Sequence, residues 1–218
     1  MKTTKIEWCD ATLNPVVGCT KGCVYCYARR LNQRFQWTED FSKPVFFPER
    51  LRQIPLKKSY RIFLNSMSDV ADWSCNWTEQ VLRAMSQAPQ NHYLLLTKRP
   101  SEISFLRALA QENIWMGVTV NSDTVKPEGV ERVMEEAPET MNWFFSAEPL
   151  LGPLDISEAA KRGLKWLIIG AETGSRNREP KRKNRPFTLL DQSTGAAGRQ
   201  LSDPRLHEGK SAQHRTGK

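Results

Sequence analysis

At 218 residues the chain is long enough to bury a real core, as one large domain or two small ones. Five cysteines, an odd number, argue against a secreted disulfide scaffold, and no apolar run approaches the roughly 20 residues that span a bilayer. The net charge of +8 is unevenly placed: residues 176–218 hold 11 Lys and Arg against 4 Asp and Glu, which leaves residues 1–175 near neutral. That basic stretch can contact nucleic acid weakly, or simply be solvated. The first ten residues have no apolar signal-like run, so a cytoplasmic location with reduced thiols is expected.

Taken in order, Asn14-Pro15 marks a bend, and Pro15 to Gly18 reads as a short strand that delivers Cys19 into a loop. The loop carries Cys19, Cys23 and Cys26 in the spacing C-x3-C-x2-C. Tyr27 to Phe35 then reads as a helix, and residues 37–56, with Pro44, Pro48 and Pro55, as an irregular connection. A regular alternation follows. Arg61 to Asn65 is an apolar run before a helix from Thr78, its expected cap, to Ala88. His92 to Leu96 precedes a helix over 101–111, Ile114 to Val120 one over 129–137, and Trp143 to Ser146 one over 156–162; Trp166 to Gly170 is the last run. With the unit that carries the cysteines, these make six strand–helix units. Continuous apolar strands separated by helices indicate a parallel sheet buried on both faces. The α/β class follows, with a βα-barrel or part-barrel favoured over an open doubly wound sheet. Beyond Gly174 the pattern stops, so residues 1–176 are read as the folded domain and 177–218 as a basic, disordered tail.

Three thiolates so close in sequence can converge on one metal centre, and three leaves a coordination position open. The sharpest reading is a [4Fe–4S] cluster whose fourth iron binds S-adenosylmethionine (SAM); reduction of the cluster then yields a 5′-deoxyadenosyl radical that attacks a substrate. A zinc site completed by Cys9, Cys75 or a histidine is the main alternative, although no second pair of ligands at zinc spacing is present. Three unrelated thiols are the other. Each strand also ends in polar residues, which a barrel gathers on one face. Among them Lys98 and Arg99 suit a carboxylate or phosphate, and Glu148 and Glu172 point carboxylates at a ligand, so these four are the candidate catalytic residues. The bland reading makes Lys98 and Arg99 a helix-entry turn and the glutamates members of ion pairs. Thr119 and Asn121 are candidates for ribose hydroxyls.

The cysteine motif, with Tyr25 before its last cysteine, resembles that of radical SAM enzymes. More narrowly, the strings Lys5-Ile6-Glu7-Trp8, Asn14-Pro15-Val16-Val17-Gly18-Cys19, Gly22-Cys23-Val24-Tyr25-Cys26-Tyr27-Ala28, Asn65-Ser66-Met67-Ser68-Asp69, Leu96-Thr97-Lys98-Arg99-Pro100, Ser146-Ala147-Glu148-Pro149 and Gly170-Ala171-Glu172-Thr173-Gly174 resemble a three-cysteine family of bacteriophages and prophages, a domain of unknown function. The resemblance implies a partial (βα)6-type barrel of the radical SAM kind, with a [4Fe–4S] cluster and SAM as cofactors. It implies a reductant protein such as flavodoxin or ferredoxin as partner, and no established substrate. By position it puts Asn65, Ser66 and Ser68 at the methionine amino group of SAM; a polar turn capping the next helix is the alternative. Family members continue with a further helix and closing strand that residues 177–218 do not display, so a truncated, inactive member is one expectation. A binding module with a structural metal, gripping nucleic acid through the tail, is the rival from another class.

Overall fold

The computed structural model describes residues 1–120, 127–150 and 152–170. In chain order these form β1 (Lys2–Thr3), β2 (Ala11–Thr12), β3 (Val16–Val17), α1 (Tyr27–Phe35), β4 (Val45–Phe46), β5 (Arg61–Phe63), α2 (Cys75–Ser86), β6 (His92–Thr97), β7 (Ile114–Thr119), α3 (Pro127–Glu136), β8 (Asn142–Ala147), α4 (Ser157–Lys161) and β9 (Leu164–Ile169). Asn121, Glu172 and the tail at 177–218 lie outside the described residues. The apolar runs pair as the alternation predicts. One sheet has the order β1-β2-β5-β6-β7-β8-β9, with β1 antiparallel to β2 and every other neighbour parallel. Parallel neighbours need a crossover, and the intervening segments supply it. Among the described residues the sheet does not close on itself; β1 and β9 are its edges.

Three expectations are corrected. The first parallel strand is Ala11–Thr12, and Val16–Val17 pairs instead with β4 in a separate antiparallel ribbon. Proline at 15 bends the chain between the two, so the ribbon leaves the sheet, and the cysteine loop bonds to the segments that follow β5 and β6. The segment after β6 forms two one-turn 3-10 helices, Pro100–Glu102 and Leu106–Leu109, rather than one α-helix. Neither has a side-chain cap, and a single turn pays the nucleation cost without the propagation that offsets it. Helix α2 begins at Cys75 because Ser74, not Thr78, caps it: Ser74 Oγ accepts from Trp77 N at 3.2 Å, and Thr78 Oγ1 donates back to Ser74 O.

The sheet is buried on both sides because its residues alternate between two apolar layers. Ile62, Tyr93, Leu95, Met116, Val118 and Phe145 face the helices and meet Val81 and Met85 of α2, Met134 of α3 and Ala159 of α4. Phe63, Leu94, Phe144 and Ile168 belong to the opposite layer, with Trp115 and Trp166 packed against them. Trp8 lies over that second layer, 4.8 Å from Phe63 and 6.2 Å from Phe144 between ring centroids. Gly117 is required there, because a Cβ would overlap the Phe144 ring. Further along the strands, two residues beyond Phe63, Leu96, Gly117 and Phe144, the same face turns polar at Asn65, Lys98, Thr119 and Ser146.

Candidate functional site

The cysteine loop is anchored before it carries any metal. Gly18 has φ +117°, and a Cβ there would stand 2.8 Å from Pro44 Cα, so only glycine lets the chain turn at this point. Gly18 N donates to Met67 O at 3.0 Å and Cys19 N to Phe41 O at 2.8 Å. Further along, Thr20 donates to Asp72 twice, from its N (3.1 Å) and from its Oγ1 (2.7 Å). Arg99 Nη1 donates to Thr20 Oγ1 at 3.1 Å, and Arg99 Nη2 stands 2.7 Å from Asp72 Oδ1. Burial works to raise the Asp72 carboxyl, but the hydrogen bonds from Arg99 and Thr20 outweigh it and hold the group below its ordinary value. Cys26 closes the loop as the cap of α1, its Sγ accepting from Arg29 N at 3.4 Å.

Cys19, Cys23 and Cys26 all line one cavity of about 1210 Å³. Burial pushes the Cys19 thiol up to about 12. Cys9 is packed in the aromatic layer and Cys75 is exposed, so neither belongs to this group. Among the described residues no set of three or more His, Cys, Asp or Glu side chains is drawn close enough to hold a metal ion. The structure thus puts the three thiols on one cavity wall without gathering them.

The strand-end residues divide into those spent on the fold and those left free. Asn65 is spent: its amide donates to Leu96 O (2.5 Å) and accepts from Leu96 N (2.8 Å), extending the sheet ladder past β5. Ser66 Oγ donates to Asn14 Oδ1 (3.0 Å), while Ser68 Oγ accepts from Trp73 Nε1 (3.1 Å) and keeps its own O–H. All three line the cavity. Arg99 does not; its guanidinium serves the loop and Glu102. Lys98 does line it, with its Nζ 5.7 Å from the Tyr25 ring centroid. Burial lowers the Lys98 ammonium, against the raising pull of Cys23 and Asp69.

Thr119 and Glu148 are the free groups. Thr119 is 1% exposed, and its Oγ1 has no hydrogen-bond partner although it lines the cavity. Its register partner on β8 is Ser146, whose Oγ donates to Glu148 Oε2 at 3.1 Å. Gly170 makes room for that carboxylate, since a Cβ there would come within 2.5 Å of Glu148 Oε1. No ion pair among the described residues engages Glu148.

Sequence reasoning missed the Thr20–Asp72 pair and the hydrogen bond that fixes Tyr27. Nothing local marks Asp72, which lies 52 positions from its partner. Tyr27 stands just after the last cysteine, and its hydroxyl donates to Ser66 O at 2.5 Å. Its ring is open to the cavity while the hydroxyl is crowded by protein, and this burial pushes its pKa up to about 12.

Residues 3–197 match the model of a protein family described as "Protein of unknown function (DUF5131)". The chain belongs to that family. Among solved structures, the DUF5131 fold is similar to that of a spore photoproduct lyase mutant with dinucleoside spore photoproduct, at a TM-score of 0.50 and 13% identity. The likeness covers 68% of this chain and 47% of that one, so the chain spans about half the length of the lyase. Spore photoproduct lyase is a radical SAM enzyme. What the DUF5131 chain shares with it is the fold, a mixed α/β arrangement on a mostly parallel sheet. No curated protein matches the chain significantly.

Proposed function

We propose that this chain is a radical SAM enzyme in which Cys19, Cys23 and Cys26 hold a [4Fe–4S] cluster. The observation that carries the reading is that all three cysteines line the same cavity as the polar ends of the parallel strands. Two further features support it. A set of three thiols matches a cluster that leaves one iron for a ligand. A buried hydroxyl without a partner, Thr119 Oγ1, is costly unless a ligand satisfies it. When bound and reduced, such a cluster supplies an electron that cleaves the sulfonium of SAM to a 5′-deoxyadenosyl radical.

The chain's own residues then have separable tasks. The loop bonds to Met67, Phe41 and Asp72 position the cysteines at the cavity. Thr119 offers its O–H, and Glu148, steadied by Ser146, offers a carboxylate to amine or hydroxyl donors of a ligand. Lys98 brings a cation to the same wall for an anionic group. The aromatic layer under Trp8 keeps water from the floor. The electron comes from a reductant protein such as flavodoxin or ferredoxin, and the substrate class is open at this level.

Anaerobic purification followed by iron and sulfide analysis tests the reading. About four irons and four sulfides per chain, with broad absorbance near 400 nm, are expected, and alanine at any one of the three cysteines should abolish most of it. The reconstituted, reduced protein should convert SAM to 5′-deoxyadenosine. Stoichiometric zinc with no such absorbance would overturn the proposal.

A further inference from the structure

Helix α1 carries a stripe that the metal-binding reading leaves unused. Tyr27, Leu31 and Phe35 recur every fourth residue, so they share one face, and all three line the cavity. Leu31 packs against protein, but 48% of Tyr27 and 52% of Phe35 stay exposed. Trp37 backs Phe35, the two rings stacked 5.1 Å apart at 25°. The Arg34 guanidinium lies 5.2 Å from the Phe35 centroid. A half-exposed ring, backed by a second ring and with an arginine over it, is an arrangement on which nucleobases stack.

Charge and length decide the occupant. Helix α1 holds three arginines and no acidic residue. Arg50, on the wall of the same cavity, spends one donor on Asn14 O at 2.8 Å and has others to offer. None of the ion pairs among the described residues engages Arg34 or Arg50. An apolar peptide would leave these cations unmatched, whereas a phosphate backbone matches them. Tyr27 and Phe35 are two helical turns apart, about 12 Å at a rise of ~1.5 Å per residue. Stacked nucleotides rise about 3.4 Å each, so a single base reaches one ring and only a strand of several nucleotides reaches both. Bases inside a duplex have their faces covered by stacking and cannot lie on the rings.

We propose that the cavity mouth along α1 binds single-stranded nucleic acid, with bases laid on Tyr27 and Phe35 and phosphates drawn to Arg34 and Arg50. This surface does not depend on the metal content of the cysteines, so it stands or falls separately from the proposed chemistry.

The test is fluorescence anisotropy of the full chain, as purified, with a labelled single strand of about 12 nucleotides. Saturable binding is expected, weakened about tenfold or more in Phe35→Ala and retained in Phe35→Trp. A mononucleotide and a duplex of equal length should bind more weakly than the strand. Arg34→Glu is the second variant; it should weaken binding and flatten its salt dependence, and it leaves the stacked rings in place should Phe35→Ala fold poorly. Absence of binding by the wild-type chain would overturn the proposal. So would equal affinity of the wild type and both variants, which would assign the binding to the basic residues 176–218. A mononucleotide that binds as tightly as the strand would overturn it as well.

Discussion

Thr119 leaves a hydrogen bond unmade in the fold and lines the cavity. Its register neighbours pack in the sheet, yet its hydroxyl is buried without a partner. Such a group costs on the order of 1–3 kcal/mol until something accepts or donates to it. Thr119→Val keeps the shape and removes the orphan. The denaturant midpoint of Thr119→Val should therefore equal or exceed that of the wild type, while SAM binding by the reconstituted protein, measured by equilibrium dialysis, weakens about tenfold. A lower midpoint with unchanged binding would mean that the hydroxyl serves the fold. Asn65 is the opposite case. Both ends of its amide are committed to Leu96, so its conspicuous position at a strand end reports ladder extension more than ligand contact.

At the scale of elements, the cysteine loop depends on a clamp assembled from three distant pieces of chain. Thr20 comes from the loop itself, Asp72 from the turn before α2 and Arg99 from the end of β6. The side chains of Arg99 and Asp72 are 16% and 6% exposed, and a buried pair broken at one end costs about 3 kcal/mol or more because the other charge is stranded. Arg99→Ala should show that loss in denaturant unfolding at pH 7, together with faster tryptic cleavage after Lys21. The pH dependence has a definite sign. Asp72 titrates below its ordinary value of 3.8 in the wild type, so its contribution is complete above that value and lost as pH falls through the folded pKa. Without Arg99 the burial of Asp72 is less opposed, and protonation relieves it. The stability gap between wild type and Arg99→Ala should accordingly narrow as pH drops below about 4. A gap constant from pH 7 to pH 3 would place the cost elsewhere.

For the molecule as a whole, the sheet is organised as an aromatic floor with a polar rim above it. Phe63, Phe144 and Trp166 form the floor, and Trp8 presses on all three, 6.4 Å from Trp166 at 85°. The segment between β1 and β2 is therefore a lid on the inner layer although β1 itself is only two residues long. Trp8→Ala should lower stability by roughly 3–5 kcal/mol, the range for large aromatic truncations in cores, as read from urea unfolding. A change under about 1 kcal/mol would mean that the segment only rests on the surface.

Periodicity alone was enough for the five apolar runs from Arg61 to Ile169, because a strand buried on both faces must be continuously apolar whatever it pairs with. Helix α1 was equally legible, since nothing between Tyr27 and Phe35 breaks it. The cysteine spacing marked Cys19, Cys23 and Cys26 as one group, and all three line the same cavity. Other features were beyond any local pattern. Ala11–Thr12 is too short to announce itself as the first parallel strand, and it becomes one only because Ile62 and Phe63 lie beside it. The failed helix after Pro100 turned on the missing caps, and whether a single turn propagates is decided by what packs against it. Asn65 is committed to a partner 31 positions away and Arg99 to one 79 positions away, whereas Thr119 Oγ1 has no hydrogen-bond partner and Glu148 joins no ion pair among the described residues. Residue types and their spacing determined which groups the chain could bring to a site; only the tertiary fold decided which of them still have a hydrogen bond to give, because satisfaction is a property of neighbours in space.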